Sequence, residues 1–149
     1  HARAVVSGLG MQRDVASLVA LYVAGLCGIG YGLRQILEAQ DRAGAPVASI
    51  AISGGAGQLD LVRQLLADAT GKPVVAVGAE EPVLLGSAIL GAVAAGVVPS
   101  LAEGMAQMSQ ASRRYEPVAG EMKSRHGQRF AAFVALQATA RSIREAGGS

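Results

Sequence analysis

The chain has 149 residues, enough for one domain with a core of its own, and at 51% apolar and 16% charged it is not composed like a disordered chain. Aromatics are only 3% with no Trp, so the core has to be built from Ala, Val, Leu and Ile. A net charge of +2, spread over scattered basic residues with Arg113-Arg114 the only adjacent pair, argues against a nucleic-acid partner.

Residues 1–10 show no helical period and begin without a capping residue, as the inside of a longer protein would. Val15 to Leu33 then carries no charge between Asp14 and Arg34, which is long enough to pass for a membrane span. The period runs on past Leu33 through Ile36 and Leu37, beside Arg34, Gln35 and Glu38, and strands alternate with helices after it. A buried helix capped by Asp14 and reaching Gln40 is therefore predicted, with no membrane partner. Its apolar side is expected at Leu18, Val19, Tyr22, Leu26, Ile29, Leu33, Ile36 and Leu37. Cys27 lies within it; a lone cysteine makes no internal disulfide and suits a buried small hydrophobe in a reducing, cytoplasmic setting.

Gly44 and Pro46 end that helix, and Val47 to Ile52 reads as a short strand buried on both faces. A helix is expected from Gln58 to Ala69, closed by Gly71, and a second strand from Pro73 to Val77. Glu80-Glu81-Pro82 opens a third helix to Gly96, with acid near its positive end and Pro in its first turn. Its small residues, among them Gly86, Ala88 and Gly91, leave room for another backbone. Ser100-Leu-Ala-Glu103 is a capping box opening a short helix with Leu101, Met105 and Met108 inward. Arg113 to Val118 reads as an extended connector. Glu121 to Glu145 reads as a last helix, apolar at Met122, Phe130, Phe133, Val134 and Ile143, before a fraying tail. Strands alternating with helices imply parallel pairing, and two strands need something further to complete their sheet.

The chemistry concentrates at Ser53-Gly-Gly-Ala-Gly57, between the first strand and the second helix. Glycine costs backbone entropy, so this turn either bends sharply under tight packing or brings main chain close to a ligand. In an open parallel sheet ligands sit beyond the carboxyl ends of the strands, where the following helix also aims free N–H groups. The turn offers amide hydrogen bonds to a phosphate or ribose, and no nucleophile or general base. It departs from the dinucleotide fingerprint and from the Walker loop, since Gly55-Ala-Gly57 is followed by Asp60 and no Gly-Lys-Ser/Thr follows. Asp60 and Arg63 fit an ion pair along their helix, and Lys72 fits a solvated side chain. His1 and His126 stand far apart without carboxylates, so no metal site is expected on this chain.

The order of motifs resembles the C-terminal domain of the FGGY carbohydrate kinases. Gly54-Gly-Ala56 at a strand end is followed by Ala67-Asp-Ala-Thr-Gly-Lys-Pro-Val-Val75 and by Glu80-Glu-Pro-Val-Leu-Leu-Gly-Ser-Ala-Ile-Leu-Gly-Ala92. Ser7-Gly-Leu9, Leu21-Tyr22 and Gly32-x-Arg34-x-Ile-Leu-Glu38 look like the long helix before it. Ile89 to Gly96, Met105-Ala-Gln-Met-Ser109 and Tyr115-Glu-Pro117 are similar to the pentulose kinase branch, of the ribulokinase and ribitol kinase type. The resemblance covers Ser7 to Ile143. It implies an α/β, ribonuclease-H-like (actin-like ATPase, sugar kinase) fold, here the C-terminal part with extra C-terminal helices.

That family binds ATP with Mg2+ between two domains and passes the γ-phosphoryl group to a sugar hydroxyl. By position, the resemblance makes Gly54, Gly55 and Ala56 nucleotide contacts, with Gly57 and Gln58 beside them. Many members place a polar residue four positions beyond the second glycine, facing adenine; here that residue is Leu59. The family's catalytic aspartate, sugar-contacting residues, phosphate loops and metal-holding parts belong to sequence before His1, as do the first strands of this domain. The resemblance thus implies residues 1–149 to be a fragment, inactive alone, whose partners are ATP, the N-terminal domain and, in the whole enzyme, a pentulose or pentitol. A second copy of the chain is a further candidate partner. Two other readings stay open: a standalone interaction domain assembling through Pro82 to Gly96, and a different actin-like ATPase.

Overall fold

The structure is a computed structural model describing residues 5–79, 81–109 and 111–147; the expectations placed on His1, on Glu80 and on the end of the tail lie outside these residues. In chain order it contains α1 (Val15–Arg42), β1 (Ile50–Ile52), a 3-10 turn (Ala56–Gln58), α2 (Asp60–Thr70), β2 (Val74–Val77), α3 (Pro82–Ala94), α4 (Leu101–Met108), β3 (Ala111–Tyr115) and α5 (Glu121–Ala146).

β2 is the centre of the sheet. β1 pairs with it in parallel, Ile50 opposite Val74, and β3 pairs with it antiparallel on the other side, Val74 opposite Tyr115. β3 takes part of the stretch expected to be a mere connector. Of the residues described in Arg113–Tyr115 only Tyr115 is buried, while Arg113 and Arg114 are exposed, so the strand lacks the apolar alternation that announces one. Among the described residues the outer edge of β3 is unpaired, and charged residues on such an edge discourage pairing with another chain.

α2 holds the sheet from one side. Val62 and Leu66, one turn apart, pack on Val74, Ala76 and Tyr115, with Ile50 and Ile52 at the margin. Burying each such Val or Leu is worth about 1.5–3 kcal/mol before entropy is charged. Gly71 ends α2 at φ +70, its N–H bonding Ala67 O at 2.8 Å, the left-handed cap that glycine allows.

On its other flank α2 meets α1 closely. A Cβ on Gly30 would stand 2.6 Å from Ala69 Cβ, so the two helices touch through the missing side chain. Around this point Cys27, Tyr31 and Ala69 form a second buried cluster, backed by Phe130 and Phe133 of α5. Tyr31 and His126 of α5, both buried, are hydrogen-bonded from hydroxyl to Nδ1 at 2.9 Å. Asp14 caps α1 by accepting from Ser17 N–H at 2.8 Å, and Ser100 caps α4 by accepting from Glu103 N–H at 3.2 Å, both as expected.

Several burial expectations are corrected. α1 was expected to be buried along its length; its buried residues are Cys27, Gly30, Tyr31 and Leu37, whereas Leu18, Val19, Tyr22, Ile29 and Ile36 are exposed. The helix outruns the small layer it packs on. By length and composition alone it could cross a membrane, a test that core helices of soluble proteins also pass. β1 was expected to be covered on both faces; Ala51 is exposed, because β1 is the outermost strand among the described residues. Leu101, Met105 and Met108 of α4 face outward, and the inward position is Gly104, where a Cβ would meet Ile89 Cγ2 at 2.8 Å. The close approach anticipated for α3 does exist, then, with the required glycine on its neighbour. On α5, Met122, Val134 and Ile143 are exposed, and contact runs instead through His126, Phe130 and Phe133. Lys72 is not freely solvated but lies 3.4 Å from Asp41, tying the end of α2 to the end of α1. Glu81 precedes α3 without a side-chain capping bond, and Pro82 occupies its first turn.

Candidate functional site

The glycine turn lies where expected, beyond the carboxyl end of β1 and ahead of α2, and its three glycines serve different ends. Gly54 has φ +89, a conformation that costs any L side chain. Gly55 is ordinary in backbone (φ −51, ψ −59) and opens a 3-10 turn in which Gln58 N–H bonds Gly55 O at 3.1 Å. A Cβ on either Gly54 or Gly55 would meet nothing within 4 Å, so their main chain faces open space. Gly57 is buried, and its Cβ would stand 2.7 Å from Ile52 Cγ1. Packing demands glycine at Gly57, whereas Gly54 and Gly55 leave main chain open to whatever approaches the turn.

Among the described residues the amides of Gly54 and Gly55 have no backbone acceptor. Ser53, Gln58 and Leu59 are exposed around them. Leu59 is the residue before α2 and gives its N-terminus no side-chain cap, which leaves the first amides of an eleven-residue helix for solvent or a ligand. The arrangement can donate hydrogen bonds to an anionic or hydroxyl-bearing group and can do no covalent chemistry.

Next to the turn stands a polar network whose interaction with the turn could not be read from the sequence. Arg63 donates from Nε to Gly57 O at 2.5 Å and from one terminal nitrogen to Asp60 Oδ1 at 3.1 Å and the Tyr115 hydroxyl at 3.2 Å. Tyr115 in turn donates to Asp60 Oδ1 at 2.6 Å, and Arg113 donates to Asp60 Oδ2 at 2.7 Å. The Tyr115 hydrogen bond foremost, opposed by desolvation and aided by the charges of Arg113 and Arg63, holds the Asp60 carboxyl below the usual carboxylate range. The Asp60–Arg63 spacing was legible; the arrival of Arg113 and Tyr115 on an unforeseen strand was not. Beyond Tyr115 the chain stays on α2, with Gln64 Nε2 donating to Glu116 O at 2.9 Å and Val118 N–H donating to Asp68 Oδ1 at 2.8 Å.

No group of three or more His, Cys, Asp or Glu among the described residues could hold a metal ion. A groove between residues 6–14 and the start of α1, with Val6, Leu9, Val15, Leu18 and Leu21 in its lining, includes no residue of the turn.

Residues 1–95 match the FGGY family of carbohydrate kinases, C-terminal domain. An "FGGY carbohydrate kinase domain-containing protein" of Homo sapiens is 39% identical over 111 residues, covering 74% of this chain and 20% of that protein. A "Ribulokinase" of Mycolicibacterium smegmatis is 32% identical over 115 residues, covering 77% of this chain and 20% of that protein. The crystal structure of xylulose kinase from Rhodospirillum rubrum superposes with a TM-score of 0.71 at 17% identity, covering 92% of this chain and 27% of that one, and shows the likeness of fold alone. The chain thus spans about a fifth of the length of these two curated relatives.

Proposed function

Because the chain belongs to the FGGY family of carbohydrate kinases, through its C-terminal domain, we propose that it forms the nucleotide side of an ATP-dependent kinase that phosphorylates a sugar hydroxyl. The observation that carries this is the open main chain of Gly54 and Gly55 at the carboxyl end of β1, leading into the uncapped start of α2. Gly54, Gly55 and Ala56 meet the ATP phosphate and ribose through their backbone, with Gln58 beside them and Gly57 supplying the packing beneath. Exposed Leu59 offers the base an apolar surface rather than a hydrogen bond.

Phosphoryl transfer is mostly positioning and charge neutralisation. This chain contributes the positioning half: amides preset by the fold, which cost no reorganisation when the phosphates arrive. Mg2+, when bound with ATP, neutralises phosphate charge, and its ligands belong to other parts of the enzyme. The acceptor hydroxyl and its base belong to the sugar-side domain that completes the cleft, so the chain alone is inactive. A pentulose or pentitol such as ribulose or ribitol is the proposed acceptor; the ribulokinase among the relatives supports it, and a "Glycerol kinase" of Acidovorax sp. (strain JS42), 36% identical over 121 residues, marks the neighbouring alternative. The free, buried Cys27 suits a reducing cytoplasm. The outward Val83, Leu84 and Leu90 of α3 support a second role, as an assembly surface for the sugar-side domain or for a second copy.

The test is titration of the 149-residue chain with ATP, followed by the amide resonances of residues 53–59. A few backbone hydrogen bonds at about 1 kcal/mol each give weak binding, in the high micromolar to millimolar range. Gly55→Val should abolish it without unfolding the chain. Submicromolar affinity, or an affinity indifferent to Gly55→Val, refutes the assignment.

A further inference from the structure

We infer that Arg63 is a positioning residue, which takes the Gly57 carbonyl in one hand and the β3 residue Tyr115 in the other and so fixes the glycine turn in its ligand-ready conformation. The inference rests on the nucleotide reading above, since it says what keeps that site formed.

Gly54, Gly55 and Gly57 give the turn wide backbone freedom, and among the described residues the backbone bond within it is Gln58 N–H to Gly55 O at 3.1 Å. An external hold is needed, and the guanidinium supplies it. Its Nε donates to Gly57 O at 2.5 Å, which fixes the plane of the peptide between Gly57 and Gln58. One terminal nitrogen reaches both Asp60 at 3.1 Å and Tyr115 at 3.2 Å. The Arg63 side chain is only 16% exposed, against 59% for Asp60 and 64% for Arg113, so with buried Tyr115 it forms the sheltered side of the network. An ordinary surface pair along a helix would use Arg63 and Asp60 alone and be worth little. Here the pair is shared with a hydroxyl 52 residues away in sequence and with a backbone carbonyl of the turn. The placement of β3 on β2 is thereby transmitted to the nucleotide turn.

The experiment compares the wild-type chain with Arg63→Ala, Arg63→Lys, Tyr115→Phe and Gly55→Val. It reads ATP affinity by amide shifts, hydrogen exchange of the residue 54–58 amides without ligand, and the urea midpoint. Arg63→Ala is expected to weaken ATP about tenfold, the loss of one charge-assisted hydrogen bond's worth of positioning. Arg63→Lys should not restore it, because a point charge cannot serve three acceptors at fixed angles. Tyr115→Phe should weaken ATP about threefold, since Arg63 keeps its other two partners. Turn amides should exchange faster in Arg63→Ala while those of Leu65 to Ala69 in α2 keep their rates. ATP affinity within twofold of wild type in Arg63→Ala, or turn and helix amides accelerating together, overturns the inference. If wild type binds no ATP, or Gly55→Val binds as well as wild type, the nucleotide reading fails instead. The ligand-free exchange rates then still decide whether Arg63 holds the turn.

Discussion

Replacing each glycine of the turn by alanine should separate three physical causes. At Gly57 the added Cβ falls 2.7 Å from Ile52 Cγ1 and 3.1 Å from Ile52 Cδ1. Ile52 is β-branched, sits half-buried on β1 and packs against the core, so it has little freedom to yield. Overpacking of this kind costs about 1–3 kcal/mol. At Gly54 the space is open but φ is +89, and the conformation itself costs a side chain about 1–2 kcal/mol. At Gly55 there is room and an ordinary helical backbone, so alanine should change stability by no more than about 0.5 kcal/mol. With a urea slope of about 2 kcal/mol/M, a 2 kcal/mol loss moves the midpoint by about 1 M, which equilibrium unfolding resolves easily. The cause at Gly57 has its own control: Ile52→Ala, which removes Cγ1, should cost less in the Gly57→Ala background than in wild type. Equal losses at Gly55 and Gly57, or additive losses at Gly57 and Ile52, would refute the assignment of the three roles.

Three further outcomes follow from the packing beneath the site. Burial, first, and then the charges of Arg129 and Arg34 hold His126 below the usual imidazole range, with Asp68 opposing them, so the folded chain binds fewer protons there than the unfolded one. Stability is therefore at its full value above the ordinary imidazole range of about 6.5 and falls as pH drops through it towards the lowered folded value. The urea midpoint of wild type should decline relative to that of His126→Gln between pH 7 and pH 5, and parallel profiles would contradict the burial of His126. Burial raises the Cys27 thiol above its ordinary range, so a disulfide reagent at pH 8 should label the native chain only as fast as it unfolds; rapid stoichiometric labelling would refute this. Gly30→Ala, placing a Cβ 2.6 Å from Ala69 Cβ, should cost about 1–3 kcal/mol by forcing α1 from α2, whereas Gly28→Ala, with open space, should not.

Much of this was legible in the chain itself, and where it was not, the reason is physical. Asp14 and Ser100 announced their helices because capping is a local matter, settled within one turn. The strand–glycine–helix order at Ile52 to Asp60 was equally local. Burial was not, because it depends on what covers a face: Leu18 and Val19 have the period of a core helix, yet the layer beneath α1 reaches only from about Val23 onward. β3 was missed because its partner, not its composition, makes it a strand; Arg113 and Arg114 carry no strand signal, and β2 supplies the ladder. The polar network at the turn followed β3 out of view, since two of its members come from that strand.

A site made of main chain has a particular dependence on its surroundings. If Gly54 and Gly55 bind through main chain as proposed, no side chain there can be tuned to strengthen the contact, and substitution there can only obstruct. What selection can act on is the frame, meaning Ile52 beneath Gly57, Arg63 at the carbonyl, and Tyr115 reaching in from β3. On the proposed reading these residues act through the turn, by fixing where its two open amides point. In this chain, then, changes that weaken nucleotide binding should map to two different sets of positions. A small one at the turn would act by obstruction, and a larger one around α2 and β3 would act by loosening, with faster exchange of the turn amides as the mark of the second.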